Sequence, residues 1–125
     1  MNENDISYQI RGAIFNVYNT LGPGLLENIY EAALIYELKK RGCKVESQVP
    51  VAVKYDGVLL NVNFRIDLLV NDKVILELKS VEDVKDIHLK QILTYLKLTH
   101  IKLGLLVNFN TDKIQTSIFR VVNGL

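Results

Sequence analysis

VLLNVNFRIDLLV (residues 58–70), NDK (71–73) and VILELKS (74–80) decide the fold. The even positions Val58, Leu60, Val62, Phe64, Ile66, Leu68 and Val70 are all apolar. Alternation this long predicts a strand with one face in a core. Asn61, Asn63, Arg65 and Asp67 occupy the odd positions. After the Asn71-Asp72-Lys73 turn, Val74, Leu76 and Leu78 resume the apolar face, and Glu77 and Lys79 point the other way. A three-residue turn sets Val70 against Val74 and therefore Asp67 against Glu77. Residues opposed in this way have Cβ atoms about 5 Å apart. Two carboxylates so placed repel unless positive charge lies between them. Lys79 shares their face, and Leu69 and Ile75 partly enclose it. Asp67, Glu77 and Lys79 thus outline a divalent-metal site with a lysine beside it.

Outward from this hairpin, Asp56-Gly57 is a type I′ turn signal. It pairs Tyr55 with Val58, Val53 with Leu60 and Val51 with Val62, so residues 45–55 form the preceding strand. Pro50 suits an edge or a bulge there. Two helices are expected before it, from about Asp5 to Leu21 and from about Leu26 to Arg41. Ile6, Ile10, Ala13, Ile14, Val17 and Leu21 follow helical spacing in the first, and Gly22-Pro23-Gly24 ends it. Apolar residues wrap far around the second, which predicts a largely buried helix. Glu27, in its first turn, is either a dipole-favoured acid or a carboxylate directed at the sheet. A third helix is expected over about Lys85–Thr99, with His88, Gln91 and Tyr95 on one stripe. Leu103–Phe109 is apolar on both faces, as in a central strand. Strand 74–80, helix 85–99 and strand 103–109 make a βαβ unit, so those two strands should run parallel. A strand or irregular segment over about 113–122 follows.

At 125 residues the chain reads as one domain, with 49% apolar and 23% charged residues, ordinary globular values. A net charge of +1 gives no global field toward nucleic acid or membrane. The single cysteine, Cys43, fits a reducing cytosol and is expected to be inert. No signal-peptide pattern or membrane-length apolar run is present, so a cytoplasmic protein is expected. Lys39, Lys40, Arg41 and Lys44 cluster at the end of the second helix, where cations suit the dipole. Arg65 is either a partner for Asp67, removing the need for a metal, or a substrate contact.

Asp67 followed after nine residues by Glu77-Leu78-Lys79 resembles the PD-(D/E)XK nuclease motif, with Ile66 in place of the proline. The expected element order is similar to that superfamily's αβββαβ core, with an added N-terminal helix and C-terminal strand. Gly24-Leu25-Leu26-Glu27-Asn28-Ile29-Tyr30 resembles the signature of the small bacterial GxxExxY proteins, and Gln91-Ile92-Leu93-Thr94-Tyr95 resembles the Q-x-x-x-Y motif of RecB-like nucleases. The resemblance spans about Leu21–Phe109. It implies a mixed α/β restriction-endonuclease-like fold. It implies Mg²⁺, replaceable by Mn²⁺, held by Glu27, Asp67 and Glu77, with Asp67, Glu77 and Lys79 catalytic and Gln91 and Tyr95 at the DNA backbone. The implied activity is hydrolysis of DNA without strong sequence preference, or of a particular DNA structure, by a chain that forms a homodimer. The alternative is a nuclease-fold adaptor that binds without cleaving.

Overall fold

Asn71 and Asp72 both adopt left-handed conformations, at φ 51° and 57°. Short polar side chains tolerate this region better than most. The turn sets Val70 against Val74, Leu69 against Ile75 and Leu68 against Leu76, the register read from the sequence. In the computed structural model, which describes residues 1–125, this hairpin is the middle of a five-stranded sheet.

The elements are α1 (Glu3–Leu21), α2 (Glu27–Lys40), β1 (Val45–Pro50), β2 (Lys54–Tyr55), β3 (Val58–Leu59), β4 (Arg65–Val70), β5 (Val74–Lys79), α3 (Asp86–Thr99), β6 (Leu103–Asn108), a short 3-10 helix (Ile114–Thr116) and β7 (Ile118–Val122). The main sheet has the order β1-β4-β5-β6-β7. β5 and β6 are parallel, joined through α3, and every other neighbouring pair is antiparallel. This is the expected mixed α/β architecture.

Both sheet faces are covered. Ile6, Ile10, Ile14 and Val17 of α1 and Tyr30, Leu34 and Leu38 of α2 pack on Leu68, Val70, Val74, Leu76, Leu78 and Leu105. Ile92, Tyr95 and Leu96 of α3 pack on the opposite face with Ile75 and Leu106. Each fully buried Leu or Ile contributes about 1.5–3 kcal/mol relative to its exposed state. α1 begins earlier than the periodicity implied, because Asn2 accepts from the Asp5 N–H at 2.8 Å and Asp5 accepts in return from the Asn2 N–H at 3.2 Å. Such reciprocal bonds satisfy two otherwise orphaned donors.

Three expectations are corrected. The strand over 58–70 is interrupted: β3 ends at Leu59 and β4 starts only at Arg65. Val58, Leu60 and Val62 are exposed, because neither helical layer extends over this arm. The Asp56-Gly57 turn does pair Tyr55 with Val58, and Leu60 N–H donates to Val53 O. The register then slips, so that Val51 N–H donates to Phe64 O rather than pairing with Val62. Second, α2 is not largely buried. Ile29 and Tyr36 face solvent, since α1 and the sheet occupy only one side of the helix. Third, apolar residues of equal parity do not keep one face. Val45 packs with the α1–α2 layer, but Val49 packs with the α3 layer. Between them Gln48 stands at φ 52°, a local reversal that turns the strand over. Ile66, the partner of Val49, likewise joins the α3 layer, while Leu68 stays with the first.

Close packing of α3 depends on Gly104. A Cβ there would lie 2.6 Å from Ile92 Cγ2, a stiff β-branched methyl. Gly104→Ala should lower stability by about 1–3 kcal/mol in urea unfolding. Combining it with Ile92→Leu, which moves the branch away from Cβ, should recover part of that loss. An unchanged midpoint for Gly104→Ala would refute the close approach.

Candidate metal and phosphodiester site

The site forms where the central hairpin stops being a regular ladder. Paired residues of β4 and β5 end at Leu68–Leu76. On the other side of β4, the β1 ladder skips Asp67, which faces the reversed Gln48. At the next rung, side chains cross the gap. Asp67 N–H donates to Glu77 Oε2 at 2.8 Å, and Leu78 N–H donates to Asp67 Oδ2 at 2.9 Å. Each carboxylate therefore takes a main-chain donor of the opposite strand, which offsets part of the cost of bringing the two together.

Glu77 is 7% exposed. It is enclosed because β5 is the central strand and α3 covers its face. Burial foremost, then the neighbouring Asp67 charge, pushes the Glu77 carboxyl up to about 8, while Lys79 draws it weakly downward. At neutral pH and without a cation, the Glu77 carboxyl therefore stays protonated. Tyr95 from α3 closes the same face. Burial, and then the Glu77 carboxylate, raises its hydroxyl above the ordinary tyrosine range. Gln91 Nε2 donates to the Tyr95 hydroxyl at 3.1 Å, and Phe64 meets the Tyr95 ring edge-on at 5.7 Å.

The other sequence candidates fall into place differently. Lys79 enters no ion pair and lies half-buried beside Glu77. Arg65 is exposed and donates to Asn63 Oδ1 at 3.0 Å; it does not pair with Asp67. The structural ion-pair alternative for the patch is therefore absent. Glu27 reaches the end of β5 from the opposite layer, accepting from the Ser80 N–H at 3.1 Å. It does not complete a cluster: no three His, Cys, Asp or Glu side chains converge on one point. His88, on the stripe with Gln91 and Tyr95, instead accepts from the Lys85 N–H at 3.0 Å and caps α3. Three of the four residues of the basic cluster are engaged elsewhere. Lys40 pairs with Glu37, Lys44 with Glu46 and Asp72, and Arg41 with Gln9. It also lies at the far end of α2, about 20 Å along the helix from Glu27.

The Asp67–Glu77 pair fits a hard divalent cation. In each carboxyl one oxygen is committed to a main-chain N–H, and no protein N–H takes the other. No buried side-chain oxygen is left without a partner, so solvent reaches these free atoms. Mg²⁺ is commonly held by one or two carboxylates and keeps several waters, so two protein ligands suffice. Shallow depressions flank the end of β5. One is about 470 Å³, lined by Leu25, Leu26, Glu27, Asn28 and Ser80; the other is about 340 Å³, lined by Val81, Glu82, Asp83, Lys85 and His88.

Two supporting residues carried no role in the sequence. Asn108 is buried at the end of β6, its Oδ1 accepting from Val81 N–H at 3.0 Å and its Nδ2 donating to Val81 O at 2.9 Å. It fixes the chain as it leaves β5. A lone amide closing the otherwise apolar LGLLVN was the signal available. Ser80 is the other: its Oγ donates to Leu25 O at 2.6 Å, tying the α1–α2 loop to the strand end. Nothing in its sequence position marked it.

The raised Glu77 pKa has a definite consequence for stability. The folded state holds this proton above the unfolded carboxyl's ordinary range, so its contribution is complete below about pH 4.5 and is lost as pH rises through about 8. Urea unfolding in EDTA should therefore show stability falling across this window, with a limiting slope of about 1.4 kcal/mol per pH unit. Glu77→Gln should flatten the profile. A wild-type profile already flat between pH 5 and 8 (the window given by the Glu77 pKa) would contradict the burial described.

A family model for the PD-(D/E)XK nuclease superfamily matches residues 4–121. The crystal structure of SSO0001 is similar in fold, with a TM-score of 0.60 at 19% sequence identity, over 96% of this chain. The chain spans 64% of the length of that one. No curated protein sequence matches it. No helix is long and apolar enough to cross a membrane. With the family match running from α1 to β7 over this mixed sheet, the chain belongs to the PD-(D/E)XK nuclease superfamily.

Proposed function

We propose that this chain is a divalent-metal-dependent nuclease of the GxxExxY type, folded as one unit over residues 1–125, that hydrolyses phosphodiester bonds of DNA without strong sequence preference or at a particular DNA structure. The observation that supports this reading most is the Asp67–Glu77 pair at the rung where the β4–β5 ladder ends, each carboxyl with one oxygen free. Mg²⁺, or Mn²⁺ in its place, supplies charge neutralisation at the phosphoryl oxygens and a more acidic water when bound. Asp67 and Glu77 would hold the ion, and Glu27 would contribute through water. Lys79, free of any ion pair, orients the attacking water and stabilises charge on the phosphoryl group. Exposed Arg65 and Gln91, with Tyr95 behind Gln91, offer donors to the backbone phosphates. The chain adds little surface beyond this core, and a homodimer would widen it. A cytoplasmic setting suits the unpaired buried Cys43.

The adaptor reading draws on one observation, that Glu27 does not join the other two carboxylates at a single point. Calorimetric Mn²⁺ titration and cleavage of plasmid and oligonucleotide DNA separate the two. Wild type should bind Mn²⁺ at millimolar or better affinity and cleave, and Asp67→Ala should abolish both. Lys79→Ala should retain the metal and lose at least about a hundredfold in rate, in the range of a lost general acid–base or charge-stabilising group. Cleavage that survives Lys79→Ala and Glu77→Ala would sink the assignment. Because the ion displaces the Glu77 proton, affinity should rise up to tenfold per pH unit below about 8 and level off above it. Titration in buffers of different ionisation enthalpy should register close to one proton released per ion at pH 7.

A further inference from the structure

We infer that Tyr30 is a positioning residue for Glu27, acting through the loop between α1 and α2 and through Ser80. The proposal rests on reading Glu27 as a carboxylate of the metal site. Tyr30 is fully buried, its ring stacked on Phe109 at 4.1 Å and 4°. Its hydroxyl donates to Gly22 O at 2.6 Å and accepts from Leu25 N–H at 3.0 Å. One phenol oxygen thus closes both ends of the Gly22–Leu25 connection. Leu25 O accepts from Ser80 Oγ, and Ser80 N–H returns to Glu27 Oε2. The connected set runs from Phe109 through Tyr30, Leu25 and Ser80 to Glu27.

This loop needs an external constraint. Gly22 and Gly24 stand at φ 73° and 87°, conformations glycine adopts freely but loses much entropy to hold. The residue before α2 is Leu26, which has no side-chain oxygen to cap the helix and makes no capping bond. Glu27 is the first residue of α2, so its direction follows that of the loop. Tyr30 lies one helical turn further along and supplies the order that Leu26 cannot.

Tyr30→Phe keeps the stacked ring and removes both loop bonds. It should weaken Mn²⁺ binding by about tenfold, as loss of a ligand-orienting partner does. Glu27→Ala should weaken it comparably, and the double variant should be no worse than Glu27→Ala, because both act through one group. In metal-free protein, Ser80 amide exchange should quicken in Tyr30→Phe and in Glu27→Ala, again without additivity. Unchanged Ser80 exchange and Mn²⁺ affinity in Tyr30→Phe would overturn the proposal, as would a loss that persists undiminished in the Glu27→Ala background. If Tyr30→Phe does not fold, Ser80→Ala carries the same cycle, with Ser80→Thr expected to restore affinity; additive losses there would equally overturn it. Coupled Ser80 exchange in a wild-type protein that binds no Mn²⁺ would uphold the positioning and reject the metal reading.

Discussion

The structure turns on two carboxyl groups held together where two strands part. Asp67 and Glu77 could have completed another rung of the β4–β5 ladder. Instead each side chain captures a main-chain N–H of the other strand. Burying a carboxylate is costly, and burying two side by side costs more. The cost is contained by those N–H bonds, by a proton on Glu77, and by solvent access to the free oxygens. On the function proposed above, a divalent cation would replace that proton. Glu77 is desolvated because α3 covers this face of the sheet.

The same burial explains why the site sits at one end of the sheet. Strand β5 is lined by neighbours on both edges and by helices on both faces, so its middle can carry only apolar side chains. Polar groups gather where the layers run out, beyond Leu76. There α2 presents its first turn, α3 its Gln91–Tyr95 face and β6 its terminal Asn108. Three connections meet there because strand, helix and loop ends all fall at the same edge. Asn108 and Ser80 tie those ends to one another, and Tyr30 fastens the loop leading into α2 to the core through Phe109.

Much of this is legible in the sequence. The alternation through Leu68–Val70 and Val74–Leu78 carried the hairpin, and the Asn71-Asp72-Lys73 turn fixed its register, which put Asp67 beside Glu77. Leu103–Phe109, apolar on both sides, announced a central parallel strand. The misreadings share one cause. Val58, Leu60 and Val62 alternate as well as any core strand, yet no layer reaches them. α2 is apolar nearly all round, yet only one side finds a partner. Periodicity reports which residues could share a face; whether another element lies over that face depends on segments far away in sequence.

The sequence by itself determined the order of the helices and core strands, the hairpin register and the proximity of the two carboxylates, because turn chemistry and period-two alternation act over a few residues. Only the tertiary structure decided how that proximity is used. The reversal at Gln48, the cover provided by α3 and the approach of Glu27 to Ser80 rather than to the pair all arise from packing between distant segments. Desolvation sets the state of Glu77, and desolvation is a property of everything surrounding a group, which no local pattern encodes.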